Sequence, residues 1–299
     1  MTGDLKTVAS ILRVGEKKLN LAGIDTARLD ARVLAEHILL TDRLGLFAHP
    51  ERVLTTDETN AYNTVIDRRA ARVPVAHLTG VREFWSLDFK ITPDTLIPRA
   101  DSEVIVETVL DLHKTGHEFK RIADLGTGSG CLLLSVLHEL KNATGVGLDA
   151  SQSALTVAAF NAKNLNLSDR SDFIYDNWSD AGWTDRLLNV GITDTGPYDL
   201  IISNPPYIPS VTIQDLAPEV ADYDPLGALD GGPDGLSAYR SIAKNVSSLL
   251  NDDGLFLCEI GYGQDQSVPD ILQSNGLQVF EIKQDLSEIP RCVVAKAIQ

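Results

Sequence analysis

Four consecutive residues, Asn204, Pro205, Pro206 and Tyr207, follow the apolar run at 200–203. Two prolines in a row fix φ, remove two backbone donors and push the preceding Asn out of the helical region, so the tetrapeptide leaves a strand as a rigid extended loop. The Asn amide oxygen and a proline-rimmed carbonyl make a pair of acceptors, and the aromatic ring beside them offers a flat wall. Together they suit a planar group that carries an NH2. Taken alone, the tetrapeptide also reads as a proline turn without chemistry, because Asn and Pro are ordinary in loops.

A second constellation lies upstream. Gly126, Thr127, Gly128, Ser129 and Gly130 follow a short apolar strand at 122–125 and precede an apolar helix that starts at Cys131. Glycines let the backbone approach a ligand closely, and the loop amides sit at a helix N-terminus. A dinucleotide fingerprint wants Gly or Ala where Cys131 stands, so a dehydrogenase is disfavoured. Asp124, directly before the glycines, would repel a pyrophosphate. It suits a ligand with a cationic end, such as the ammonium and sulfonium of S-adenosyl-L-methionine. Asp149 ends the next strand, 23 residues after Gly126, where a carboxylate can accept hydrogen bonds from ribose hydroxyls or cap the helix that begins beyond Ser151.

Alternating strands and helices must position these groups. Apolar residues at three- to four-residue spacing predict helices in residues 1–80, with Asp25-Thr26 as a cap for the second and Thr56-Asp57 opening another that Pro74 stops. Residues 81–99, with Phe84, Trp85, Leu87 and Phe89, read as a β-hairpin followed by a loop ending at Arg99, a residue that either meets solvent or faces the crevice. From 101 onward the pattern is helix, then strands at 122–125, 144–148, 173–175, 200–203 and 255–260, and a closing pair at 279–282 and 292–295. The short link between the last two predicts an antiparallel pair at the edge of an otherwise parallel seven-stranded sheet. In such a sheet ligands bind beyond the carboxyl ends of the strands at the switch point, which brings the glycine loop and residues 204–207 to one crevice. Residues 208–236, long and rich in Gly, Pro and Asp, are expected to shape its mouth.

Composition narrows the partner. The 299 residues, 43% of them hydrophobic, allow one large and one small domain. The apolar runs are far short of the roughly 20 residues a membrane span needs, and no apolar leader opens the chain, so a cytoplasmic protein is expected. Cys131, Cys258 and Cys292 lack paired spacing and nearby His, which predicts buried thiols with neither disulfide nor metal. The net charge is -16. Residues 1–80 hold 11 Lys and Arg against 10 Asp and Glu, and residues 81–299 hold 15 against 32. So acidic a surface repels phosphate backbones and argues against nucleic acid as a direct substrate.

The loop from Asp124 to Gly130, with Asn204-Pro205-Pro206-Tyr207, resembles the class I methyltransferases that act on planar nitrogen with S-adenosyl-L-methionine. Glu83-Phe84-Trp85-Ser86-Leu87, Leu96-Ile97-Pro98-Arg99, Asp101-Ser102-Glu103, Pro225-Leu226-Gly227-Ala228-Leu229, Asp234-Gly235-Leu236 and Glu259-Ile260-Gly261 narrow the resemblance to the protein-glutamine methyltransferases of peptide chain release factors. The match runs from about Val75 to the end of the chain. It implies a Rossmann-like methyltransferase domain at 101–299, a linking hairpin at 81–100 and a helical domain at 1–80 that holds the release factor. It further implies a monomeric enzyme that methylates the glutamine of a Gly-Gly-Gln loop at its side-chain nitrogen. Residues 204–207 are then catalytic, and Asp124, residues 126–130, Asp149, Trp178 and Asn204 bind the cofactor, Trp178 at the adenine. The chain departs from the family pattern in two places. Asp285-Leu286-Ser287-Glu288 stands where Asp-Leu-x-Gly is common, and Asn177 separates Asp176 from Trp178. The rival activities are methylation of an adenine base or of a ribosomal-protein glutamine, which the same tetrapeptide can grip, and a non-catalytic binding module that keeps the fold.

Overall fold

The structure, a computed structural model, describes residues 6–191 and 195–298. The chain divides into two compact units: one reaches to Val81 and adds Ala217–Tyr223, and the other holds Arg82–Leu216 and the chain from Asp224 onward.

The first unit contains helices α1 (Val8–Leu21), α2 (Ala27–Leu39), α3 (Arg43–Ala48), α4 (Thr56–Ala70) and α5 (Val75–Thr79). Their ends follow from local chemistry. Thr7 with Ser10, and Thr55 with Glu58, form reciprocal capping boxes that satisfy the first free amides of α1 and α4. Thr26 does occupy the N-cap of α2, but its side chain makes no capping bond. Ile11, Leu19, Leu34, Tyr62 and Ile66 fill the core between the helices. At its edge Arg69 is buried between Asp30, at 2.7 Å, and Glu219, at 3.0 Å; Arg72 also reaches Glu219, and the Tyr223 hydroxyl donates to the Ala71 carbonyl. These bonds account for the inclusion of Ala217–Tyr223 in the helical unit.

The second unit begins with the hairpin β1 (Val81–Phe84) and β2 (Leu87–Lys90), which enters it at Arg82. Trp85 and Ser86 both take positive φ, as a tight two-residue hairpin turn requires. Next come α6 (Glu103–Lys114), β3 (Arg121–Leu125), α7 (Cys131–Glu139), β4 (Thr144–Asp149), α8 (Gln152–Asn164), β5 (Ser171–Tyr175), α9 (Trp183–Leu188) and β6 (Tyr198–Ser203). The chain continues through α10 (Pro218–Ala221, of the helical unit), α11 (Leu226–Leu229), α12 (Ser237–Leu249), β7 (Leu250–Glu259), α13 (Ser267–Ser274), β8 (Leu277–Gln284) and β9 (Pro290–Ala297).

The large sheet has the order β5-β4-β3-β6-β7-β9-β8. Its first five strands are parallel, and β9 runs antiparallel to both β7 and β8. The edge is thus the expected antiparallel pair, and the strand of reversed sense is β9, one place in from the rim. Pleating sends Ala123 and Leu125 of β3 into the core shared with α9, α12 and α13, and Ile122 to the opposite face. With both faces covered, β3 is buried along its whole length. The first and fourth strands of the parallel order, β3 and β6, are direct neighbours with Leu125 opposite Ser203. The chain reverses its direction of winding there, so the loops after these two strands leave the sheet side by side.

Candidate active site

A cavity of roughly 550 Å³ opens at this switch point. Gly126, Gly128, Asp149, Trp178, Asn204 and Pro206 all line it, together with Asn177, residues 94–96, four residues of 225–230 and the start of α12. The structure therefore brings six of the twelve expected site residues to one surface.

The glycine loop is held in place by carboxylates. Gly128 has φ of +56°, in the left-handed region, and its amide donates to Asp149 Oδ2 at 2.8 Å. The other Asp149 oxygen accepts from Ser151 N at 2.8 Å, so one carboxylate ties the loop to the start of α8. Asp149 is not the cap of α8, which is Ser151 with its side chain accepting from Ala154 N; it braces the turn before that helix and lines the cavity. Burial raises its pKa, and the Gly128 and Ser151 amides oppose the rise. Gly126 leaves space for Trp178: a Cβ there would lie 3.2 Å from the indole ring.

Asp124, Thr127, Ser129 and Gly130 are buried behind this surface rather than on it. Thr127 Oγ1 donates to Asp124 Oδ2 at 2.7 Å, while Asp124 Oδ1 and Ser129 Oγ have no hydrogen-bond partner. Burial pushes the Asp124 carboxyl up to about 7; the Thr127 bond opposes this and the Asp149 charge adds to it.

Within 204–207 the side chains divide their tasks. Asn204 Nδ2 donates to Ser102 Oγ at 3.1 Å, which leaves Oδ1 as the atom it offers to the cavity. Pro206 forms the wall beside it, and Pro205 is buried. Tyr207 is not among the lining residues; its ring packs on the core and its hydroxyl donates to Glu259 Oε1 at 3.2 Å. Burial lifts the Tyr207 phenol above its ordinary range, and the nearby Glu259 charge lifts it further.

Sequence reasoning gives several supporting residues no partner. Ser102 lies in a short 3-10 turn before α6 and is 3% exposed. Gln264 donates to the carbonyls of Tyr207 and Gly235 and accepts from Gly261 N, clamping three loops. Asn161 joins Lys90 of the hairpin to Ser129 of the glycine loop. A polar residue among the apolar positions of α8 was the one readable hint of that link. Arg99 remains 40% exposed and does not line the cavity: it pairs at 2.5 Å with Asp224, whose side chain is fully buried and also accepts from Ile97 N. Residues 208–236 are ordered around a bridge between Ile208 and Asp230 and contribute Pro225, Gly227, Ala228 and Asp230 to the cavity wall.

The two departures from the family pattern are also accounted for. Glu288 takes the left-handed turn position with φ of +62°, and Asp285 ties the turn through Ser287 N and Ile289 N. Asp176 accepts from Arg186 Nε and Nη2 at 2.5 and 2.6 Å, and it is Asn177 that reaches the cavity. That bidentate pairing is the main cause that keeps the Asp176 carboxyl below its ordinary range.

A parallel sheet with a reversed strand in its final pair, and a cavity between the glycine loop and the tetrapeptide, define a Rossmann-like methyltransferase. Residues 117–293 match a methyltransferase domain and residues 10–80 match the PrmC N-terminal domain. The catalytic domain of hMettl16 in complex with the MAT2A 3′UTR hairpin 6 shares the fold, with a TM-score of 0.54 and 18% identity over 77% of this chain and 82% of that one. A release factor glutamine methyltransferase of Rhodospirillum rubrum is 43% identical over 96% of this chain and 84% of its own. One of Bradyrhizobium diazoefficiens is 40% identical over 97% and 95%. The chain belongs to the family of release factor glutamine methyltransferases.

Proposed function

We propose that this protein transfers a methyl group from S-adenosyl-L-methionine to the side-chain amide nitrogen of the glutamine in the Gly-Gly-Gln motif of peptide chain release factors. The observation that carries the reading is the pose of Asn204, whose amide nitrogen is committed to Ser102 so that its oxygen is the group presented beside the glycine loop. An acceptor fixed there suits an N–H of a planar amide. The relatives of Rhodospirillum rubrum and Bradyrhizobium diazoefficiens, both release factor glutamine methyltransferases, supply the substrate class. The imbalance of 15 basic against 32 acidic residues in 81–299 supports a protein over a nucleic acid.

The cavity fits the cofactor. Asp149 has lone pairs left for a ribose diol, Trp178 offers a flat face for adenine, and the glycine loop permits close approach. Asp124, with one orphaned oxygen behind the loop, adds negative potential for a cationic end once it ionises above about pH 7. Once bound, S-adenosyl-L-methionine supplies an electrophilic methyl group on a sulfonium.

The chain's own residues do the remaining work. Asn204 Oδ1 and the Pro205 carbonyl accept the two amide hydrogens of the glutamine and hold its nitrogen at the methyl. An amide nitrogen is a weak nucleophile because its lone pair is shared with the carbonyl. Acceptors on both hydrogens favour the positive nitrogen that forms as the lone pair takes the methyl, and loss of one N–H proton to solvent then leaves a neutral N-methyl amide. Tyr207, pinned by Glu259 and Gln264, stiffens this loop. Alignment in a site that excludes water can contribute up to about 7–11 kcal/mol. Residues 1–80 recognise the factor, 81–100 link the two parts, and 101–299 carry the chemistry. The protein acts as a monomer in the cytoplasm, where its three thiols stay reduced.

The test is peptide mass spectrometry of a release factor incubated with the protein and cofactor. One methyl on the Gly-Gly-Gln glutamine is expected. Asn204→Ala should lower kcat by at least about 10²-fold with cofactor affinity retained; an active variant would sink the assignment.

A further inference from the structure

Behind the tetrapeptide lies a polar cluster that does not line the cavity. Glu259, at the end of β7, is 1% exposed. Its Oε1 accepts from the Tyr207 hydroxyl at 3.2 Å and Oε2 has no hydrogen-bond partner; burial pushes the carboxyl up to about 7, and the Ser102 and Tyr207 hydroxyls beside it oppose the rise. Arg291, held by Asp285 and Asp101, favours the charge on Glu259, while Asp101 itself disfavours it. Ser102 in turn accepts from Asn204 Nδ2.

A buried carboxylate without a formal ion pair is costly, and a core of this kind would be more stable with an apolar residue at 259. Its presence calls for a role. A hydroxyl has one hydrogen and two lone pairs. Above about pH 7, where Glu259 carries its charge, the carboxylate attracts the Ser102 hydrogen, so that the Ser102 oxygen can only accept and the side chain able to donate to it is the Asn204 NH2. The Asn204 amide is then locked in one of two nearly isosteric orientations, the one that aims Oδ1 at the cavity. Without that bias the Ser102 hydrogen can turn to Asn204, which would flip the amide and present NH2, a donor, to the substrate's own NH2.

We propose that Ser102 and Glu259 are positioning residues for methyl transfer: the Glu259 carboxylate orients the hydroxyls of Ser102 and Tyr207, and Ser102 thereby fixes the Asn204 amide with its oxygen toward the substrate nitrogen. This rests on the glutamine-methylation reading above.

The experiment compares Ser102→Thr with its isostere Ser102→Val, using the full chain, a release factor and S-adenosyl-L-methionine. Ser102→Val should lose on the order of 10²-fold in kcat with KM for the release factor little changed, and Ser102→Thr should restore most of it. Ser102→Ala removes an atom and cannot clash, so it gives a result should either larger side chain prevent folding; it should lose kcat as Val does. Glu259→Gln, which offers a donor in place of an acceptor, should lower kcat in the same direction. A second readout needs no turnover: the Asn204 side-chain amide signals in a ¹⁵N-Asn spectrum, identified by their loss in Asn204→Ala, should exchange slowly with solvent in the wild type and fast in Ser102→Val. Equal kcat for the Thr and Val variants, an active Ala variant, or unchanged amide exchange overturns the proposal. A wild-type protein that methylates no release factor would instead defeat the substrate reading, so the two failures are distinguishable.

Discussion

Replacing Asp149 with Asn tests whether one carboxylate organises the cofactor side of the cavity. In the folded protein its two oxygens hold Gly128 N and Ser151 N, each at 2.8 Å. The carboxamide keeps a single acceptor and turns its NH2 toward the second backbone amide, so one bond is lost and two donors are opposed. A hydrogen bond to a charged acceptor contributes about 1.5–3 kcal/mol, and an orphaned donor adds to the loss. We therefore expect about 3 kcal/mol to fall on the ordered form of the glycine loop, which is roughly a 150-fold weaker dissociation constant for S-adenosyl-L-methionine. Isothermal titration with the purified variant measures it directly, and Asp149→Ala, which exposes both amides to solvent, should weaken binding by a similar factor. Acid should act in the same direction. Burial holds the Asp149 carboxyl above its ordinary range, so affinity should start to fall at a higher pH than an exposed aspartate would dictate. Wild-type affinity in Asp149→Asn would refute the idea that this residue orders the loop.

Three further outcomes follow from the structure. The folded protein keeps protons on Asp124 and Glu259 up to about 7, against ordinary values of 3.8 and 4.5; the native state thus binds more protons in that interval, and stability falls as pH rises from about 4 through 7. Urea midpoints of the wild type should drop between pH 5.5 and 8 by more than those of the Asp124→Asn, Glu259→Gln double variant, and an equal drop would refute the assignment. Arg69→Met leaves the equally buried Asp30 without its partner and should destabilise the helical unit by about 3–5 kcal/mol, whereas adding Asp30→Leu should recover most of that. Far-UV circular dichroism is the probe, because Trp85, Trp178 and Trp183 all lie in the other unit, and a single variant as stable as the wild type would count against a buried ion pair. Glu288→Gly relieves a left-handed φ of +62° and should stabilise the methyltransferase unit by about 0.5–1 kcal/mol, after allowing for the freer unfolded chain of glycine; tryptophan fluorescence in urea reports it, and a loss of stability would show that the turn carries no strain.

The order of strands and helices was readable because each strand from 121 onward is a short apolar run set between turn residues and each helix an apolar repeat of three to four. The meeting of the glycine loop with Asn204 was readable too, since neighbouring strands at a switch point leave their loops on the same side. Local pattern does not extend to the groups that hold those loops. Ser102 and Asn204 are 102 residues apart in the chain, and Tyr207 and Glu259 are 52 apart. Ser102 falls in a segment that carries the family resemblance, but nothing in its neighbours shows that it bonds Asn204. Arg99 stayed ambiguous for the same reason, as its partner Asp224 lies 125 residues away.

By itself the sequence determined which groups were available for chemistry: a glycine loop with an acid on either side, a proline-stiffened acceptor, an acidic surface and reduced thiols. These properties belong to single residues and their immediate neighbours, through φ restriction, hydrogen-bonding capacity and charge. Only the tertiary structure decided how the groups are used. It placed Asp124 behind the cavity and Asp149 at its wall, set Tyr207 against Glu259 instead of the cavity, and chose which end of the Asn204 amide is bound to Ser102. The physical reason is that burial and long-range hydrogen bonds decide which face of a polar group remains available, and both come into being only when distant segments pack together.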